Sequence, residues 1–243
     1  MPRFALIGKK LGHSWSKKYF DEKFNSSEWK GYEYINLETD DISTIKHLVQ
    51  VNRLDGFNVT IPYKRSILPY LDDLSQEAFD IQAVNVVKVM NDGKLKGHNG
   101  DAYGFEQSLL PLLQSHHQQA LILGSGGASK AVQYILRKLN ISFHIVSRSG
   151  VGMNYSDLNE TIIREHRLII NTTPLGMFPD VNFSPDLPYS ALRKEHLLYD
   201  LIYNPTETEF LKKAKAQGAV IKNGEEMLIL QAERSFELWD FGR

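Results

Sequence analysis

From Leu121 to Val132 the chain runs Leu121, Ile122, Leu123, Gly124, Ser125, Gly126, Gly127, Ala128, Ser129, Lys130, Ala131, Val132: a short apolar run, a glycine turn and a helical opening. Strand, glycines and helix in that order are what a dinucleotide-binding βαβ unit requires. Gly124 permits the tight turn, and Gly126 lets backbone approach a pyrophosphate. Amides at the helix N-terminus, here Gly127 and Ala128, then meet phosphate charge with the positive end of the helix dipole. Ser129 stands where the third glycine of the usual spacing would be, so a glycine turn without a ligand is the competing reading.

The next apolar run, Phe143 to Val146, ends in Ser147, Arg148 and Ser149. A site that prefers NAD places Asp or Glu there for the ribose hydroxyls, and no acid is present. The guanidinium of Arg148 suits a 2′-phosphate, with Ser147 and Ser149 adding hydroxyl donors, so NADP(H) is the expected cofactor. The bland alternative is that Arg148 is a solvated loop charge.

Around this unit, short apolar runs alternate with segments of helical period. Strands are expected at Phe4–Ile7, Tyr32–Leu37, Gly56–Val59, Val84–Met90, Leu121–Leu123, Phe143–Val146, Leu168–Ile170 and Leu197–Leu201. Helices are expected at Ser14–Phe24, Ile42–Val51, Ala102–Leu113, Ala128–Leu139, Thr206–Gln217 and Glu225–Trp239. Such alternation predicts α/β architecture with mostly parallel sheets and crossover helices. Asn91, Asp92 and Gly93, between Val84–Met90 and Lys94–Lys96, predict a hairpin that adds an antiparallel strand. The nucleotide-binding pattern restarts just before Leu121, so two domains are expected: 1–100, joined by the last helix over about 225–243, and 101–224. The hinge falls around Gly97–Asp101.

Composition narrows the function classes. Of 243 residues, 28 are Lys or Arg and 29 are Asp or Glu, which leaves no basic footprint for nucleic acid or an anionic membrane. The chain has no cysteine, which excludes disulfides, thiolate metal sites and thiol nucleophiles. The apolar run at Phe4–Ile7 is too short for a signal-peptide core or a membrane span, so a cytoplasmic protein is expected. His116 and His117 lie in a polar stretch without metal-ligand spacing, and His13 and His98 read as turn or supporting residues, so no metal is expected.

Three polar clusters each follow a predicted strand: Gly12–Ser16, Gly56–Lys64 and Gly97–Gly104. In an open α/β sheet that edge is the ligand crevice, and its hydroxyls, amides, lysine and carboxylate suit a small polyhydroxylated acid. With Ala83–Asn85, the Gly124–Ala128 loop, Asn171–Met177, Asp200–Pro205 and Gly224–Ala232, these segments resemble, in order and along essentially the whole chain, the shikimate dehydrogenase family.

The resemblance implies a substrate domain followed by a Rossmann-type NADP-binding domain. The implied reaction is NADPH-dependent reversible reduction of 3-dehydroshikimate to shikimate, a step of chorismate and aromatic amino acid biosynthesis. It makes Lys64 and Asp101 the catalytic pair and leaves open which of them moves the proton. Ser14, Ser16, Thr60, Asn85, Tyr203 and Gln231 match substrate-binding positions, and Gly124–Ala128, Ser147–Ser149, Thr172 and Met227 match cofactor-binding ones. Asp101 also reads as the N-cap of a helix opening at Ala102, and Met227 equally as a core residue. Three residues depart from the family pattern: Gln82 and Glu226 stand at usual glycines and Gly100 at a usual threonine. Glu226 would crowd or repel the cofactor unless it turns outward. The competing readings are a quinate/shikimate dehydrogenase of broader substrate and cofactor use, and a noncatalytic paralogue that binds nucleotide or metabolite. The expected partner is the small-molecule substrate, shikimate or 3-dehydroshikimate, with no nucleic acid and no membrane, and the expected state is a monomer or homodimer.

Overall fold

The computed structural model describes residues 1–12 and 14–239, so the expectations for His13 and for 240–243 lie outside the described residues. The chain divides into two compact units, Met1–Gly100 with the segment from Ala232, and Asp101–Gln231. The division therefore falls inside the last helix rather than at its start near residue 225.

The first unit carries β1 (Arg3–Gly8), α1 (Trp15–Phe24), β2 (Glu33–Glu38), α2 (Ile45–Asn52), β3 (Gly56–Val59), α3 (Tyr63–Ser66), β4 (Asp73–Leu74), α4 (Gln76–Ile81), β5 (Val86–Val89) and β6 (Leu95–His98). Its sheet has the order β2-β1-β3-β5-β6-β4, with β5 antiparallel to both neighbours, as the Asp-Gly hairpin predicts. β1 is covered on both faces, which is why Phe4–Ile7 reads as an unbroken apolar run. Ala5 and Ile7 pack in one core with Ile45, Val49, Phe57 and Val59, while Phe4 and Leu6 pack in an aromatic core with Phe20, Phe24, Tyr34, Phe236 and Trp239.

The second unit carries α5 (Gly100–Leu109), β7 (Gln119–Leu123), α6 (Gly127–Lys138), β8 (Ser142–Val146), α7 (Glu160–Glu165), β9 (Leu168–Asn171), β10 (Leu197–Asp200), α8 (Glu209–Ala216), β11 (Val220–Lys222) and the first half of α9 (Glu225–Trp239). Its five strands are all parallel in the order β11-β10-β9-β7-β8. The strand order reverses between β7 and β9, and the crevice outside their C-terminal ends is where such sheets bind ligands.

Several boundaries differ from the sequence expectations for local reasons. The helix expected from Thr206 opens at Glu209, because the Thr208 hydroxyl accepts the Leu211 amide at 3.4 Å and so caps it. β5 starts at Val86 rather than Val84, because the Val84 amide donates to the Lys64 carbonyl. α5 opens at Gly100, which places Asp101 inside its first turn, not at the cap, where a carboxylate still meets the positive end of the dipole. The last helix returns to the first unit through Trp239. The indole lies over Gly56, where a Cβ would sit 2.3 Å from the ring, stacks on Phe4 at 4.7 Å and donates to the Val87 carbonyl at 2.9 Å.

Candidate active site

In the first unit the site residues gather at the C-terminal ends of β1 and β3. Ser14 ends the turn after β1 as the N-cap of α1, its hydroxyl accepting the Lys17 amide at 3.2 Å, so its proton is directed elsewhere. Ser16 lies in the first turn and donates to the Tyr34 phenol. Tyr34 is fully buried, which pushes its phenol far above the ordinary range, and it donates to Asn58 Oδ1 at 2.8 Å. Asn58 in turn donates to the Asn85 carbonyl at 3.1 Å and to Ser235 Oγ at 2.9 Å. A buried polar chain thus runs from Ser16 to the backbone of Asn85.

Thr60 follows β3, its amide on the Ile7 carbonyl at 2.9 Å and its methyl against Gly8, where a Cβ would come within 2.7 Å. Lys64 sits in the short α3, half-buried, and its carbonyl accepts from Val84 at 2.8 Å. Asn85 is buried, and its Oδ1 accepts the Gly100 amide at 2.6 Å. That bond fixes the orientation of the Asn85 amide. It also anchors Gly100 one peptide bond before Asp101. Lys64 and Asp101 themselves fall in different units. His98, at the end of β6, accepts the Asn85 amide on its carbonyl at 3.1 Å. Burial, then the cations Lys96, Arg234 and Lys88, push its imidazole down to about 4, so it stays neutral and supports the backbone rather than titrating near neutrality.

In the second unit the glycine loop lies at the reversal between β7 and β9. Gly124 has φ +106°, and a Cβ there would meet Thr172 Oγ1 at 2.8 Å and Thr173 Cγ2 at 3.0 Å. Thr172 donates from both its amide and its hydroxyl to the Leu123 carbonyl, at 2.9 and 2.8 Å. Gly126 and Gly127 differ from Gly124. A Cβ at either would meet no protein atom within 4 Å, so the fold itself does not require them to lack side chains. They keep bare backbone in front of the N-terminus of α6, with Ser125 and Ala128 also exposed, and this cradle fits a dinucleotide phosphate. At the end of β8, Ser149 Oγ lies 3.0 Å from both Ser125 Oγ and Ser147 Oγ, so one hydroxyl row joins the glycine loop to the exposed Arg148.

Two of the family segments named from the sequence, Asn171–Met177 and Asp200–Pro205, are joined beneath this loop by a pairing that the sequence did not reveal. Asn171 Oδ1 accepts Thr173 N at 3.0 Å and Thr173 Oγ1 at 2.7 Å, and its Nδ2 donates to Asp200 Oδ1 at 3.0 Å. Asp200 also accepts Ile202 N at 3.1 Å and Thr208 Oγ1 at 2.6 Å. Asn171 and Asp200 have no exposed surface, and burial pushes the Asp200 carboxyl up to about 6 against the pull of the Thr208, Ile202 and Asn171 hydrogen bonds. The available signal was a single polar residue closing each of two four-residue strands, Leu168–Asn171 and Leu197–Asp200.

Met227 and Gln231 lie one turn apart on α9, against Gly104 of α5. A Cβ at Gly104 would stand 2.4 Å from the Met227 carbonyl oxygen and 3.2 Å from the Gln231 nitrogen. Glu226 turns outward and pairs with Lys222 at the end of β11. Tyr203 is exposed after β10. Among the described residues no group of three or more His, Asp or Glu could hold a metal, and no helix is long and apolar enough to cross a membrane.

A family model described as the shikimate dehydrogenase substrate binding domain matches residues 6–87. A shikimate dehydrogenase (NADP(+)) from Clostridium beijerinckii is 38% identical, over 98% of this chain and 92% of its own. Among solved structures, shikimate 5-dehydrogenase from Thermus thermophilus, in complex with NADP(H) and shikimate, superposes with a TM-score of 0.84 at 33% identity, over 98% of this chain and 93% of that one. Quinate dehydrogenase from Corynebacterium glutamicum, in complex with NAD, gives 0.89 at 27% identity, over 98% and 93%.

Proposed function

The chain belongs to the shikimate dehydrogenase family, and we propose that it catalyses reversible NADP-dependent reduction of 3-dehydroshikimate to shikimate, in the biosynthesis of chorismate and aromatic amino acids. Residues 1–100 with the end of α9 form the substrate domain, and the second unit binds the dinucleotide. The observation that carries the reading is the glycine cradle at the reversal of a parallel sheet with Arg148, and no acid, at the end of the neighbouring strand. Those are the residues a 2′-phosphorylated dinucleotide needs.

When bound, NADPH supplies the hydride. The chain does the rest. Ser14 offers its free proton to the substrate carboxylate, and Ser16 joins it by turning from Tyr34, with Tyr203 orienting the acid. Thr60, Asn85 and Gln231 read the ring hydroxyls, and matched polar groups discriminate strongly because a missing hydroxyl leaves a buried partner unpaired. Lys64 Nζ stabilises the negative charge that develops on the carbonyl oxygen and donates the proton that completes the alcohol, taking it back in the oxidative direction. Asp101 orients Lys64 and the reacting hydroxyl. Thr172 and Met227 wall the nicotinamide end. The outward pairing of Glu226 with Lys222 keeps its carboxylate off that wall.

The structural likeness to a quinate dehydrogenase that binds NAD favours one second reading, a dehydrogenase of broader substrate and cofactor use. Near-ultraviolet absorbance of the purified protein with shikimate and NADP⁺, then with NAD⁺ or with quinate, separates the two. Reduced nicotinamide formed only with shikimate and NADP⁺ supports the first reading. Comparable signal with NAD⁺ or quinate moves the enzyme to the second, and silence in all three with a folded protein refutes both.

A further inference from the structure

Resting on the proposed NADP-dependent reading, we infer that Asp200 is a positioning residue for the cofactor, holding through Asn171 and Ile202 the two backbone segments that frame the dinucleotide. One arm runs from Asp200 Oδ1 to Asn171 Nδ2, and from Asn171 Oδ1 to the amide and hydroxyl of Thr173. That turn forms the wall against which Gly124 closes, at 2.8 Å to Thr172 and 3.0 Å to Thr173 from the place of a Cβ. The other arm runs from the same oxygen to Ile202 N at 3.1 Å. The Ile202 carbonyl then accepts Gly224 N at 3.0 Å, immediately before the α9 helix that carries Met227.

The chemistry of the three partners is one-sided. Asn171 Nδ2, Ile202 N and Thr208 Oγ1 all donate, and the Thr208 oxygen already accepts the Leu211 amide, which directs its proton at Asp200. Only a group offering acceptors to several donors at once satisfies this cluster, and inside a site without exposed surface an unsatisfied donor is costly. A carboxylate joining the C-terminal ends of two adjacent parallel strands therefore fixes where both arms stand. Asparagine keeps the shared Oδ1 acceptor, and the Thr208 hydroxyl can turn to accept from the new amide. Alanine keeps neither.

The test is steady-state kinetics of Asp200→Ala and Asp200→Asn, at a temperature where circular dichroism shows both folded. The expected result is a rise of about tenfold in the KM for NADP⁺ in Asp200→Ala, the size of one buried hydrogen bond lost, with the shikimate KM unchanged. Asp200→Asn is expected to return to wild-type values. A folded Asp200→Ala with an unaltered cofactor KM overturns the inference, as does equal loss in the two variants. Should Asp200→Ala not fold, Thr173→Val removes the hydroxyl bond of the same arm at a half-buried position and leaves its amide bond, and an unchanged cofactor KM there overturns the inference. Wild-type protein without activity would instead overturn the functional reading. NADPH binding followed by nicotinamide fluorescence, expected to weaken about tenfold in Asp200→Ala, still judges the positioning role in that case.

Discussion

Replacing Gly104 by alanine sets two terms of known sign against each other. Alanine is favoured over glycine inside a helix by about 1 kcal/mol. Against that, the new Cβ would stand 2.4 Å from the Met227 carbonyl oxygen, where ordinary contact begins near 3.4 Å, so α9 must retreat by about 1 Å. The obstacle is backbone and cannot rotate away, and overpacking of this kind costs about 1–3 kcal/mol. The strain therefore outweighs the propensity by about 1 kcal/mol, a loss of about 2–4 °C in melting temperature for a chain of this size. Activity is expected to fall much further, because the retreat carries Met227 and Gln231 with it and a displacement of that size at a reacting centre costs about 10²-fold in kcat/KM. Thermal melts and shikimate oxidation by NADP⁺ measure the two effects separately. A Gly104→Ala protein with wild-type turnover and melting would show that this helix contact does not hold the site.

The buried carboxyl gives a pH-dependent expectation. Its folded value of about 6 lies above the ordinary 3.8, so the folded state holds the proton more tightly, and the carboxyl's contribution to stability declines as pH rises from about 4 to 6. Asp200→Asn is expected to gain on wild type across that window, by up to about 3 kcal/mol at neutral pH, and parallel denaturation curves from pH 4 to 7 would contradict it. Lys64→Ala should lower kcat by about 10² while leaving NADPH binding intact, and near wild-type turnover would remove it from the proton step. Arg148→Ala should weaken NADPH far more than NADH in a binding titration, whereas equal weakening would remove the phosphate contact.

The alternation of strands and helices was legible because the central strands are buried on both faces, so β1, β7, β9 and β10 read as continuous apolar runs. The elements that escaped, α3, α4, α7, β4 and β11, have two to six residues, too few to display a period. Ser14, Lys64 and the glycine loop could be placed at strand ends from the sequence because each lies in a motif of adjacent residues. The Tyr34–Asn58 and Asn171–Asp200 pairs were not, since their partners lie 24 and 29 positions apart and a polar residue closing an apolar run looks like an ordinary strand end. Gly104 closes the Gly97–Gly104 cluster, but the reason it bears no side chain was not legible, because the atom that forbids one belongs to a helix much later in the chain.

The seating of Trp239 on Gly56 bears on how the protein is made. Phe236 and Trp239 complete the aromatic core around Phe4, Phe20 and Tyr34, so an earlier segment waits for one made much later in the chain. The stretch from Asp101 to Gln231 is continuous and holds all five strands of its own sheet. During synthesis the sheet of the first unit is therefore whole once His98 has been made, but its aromatic face stays open until α9 follows, after all five strands of the second sheet.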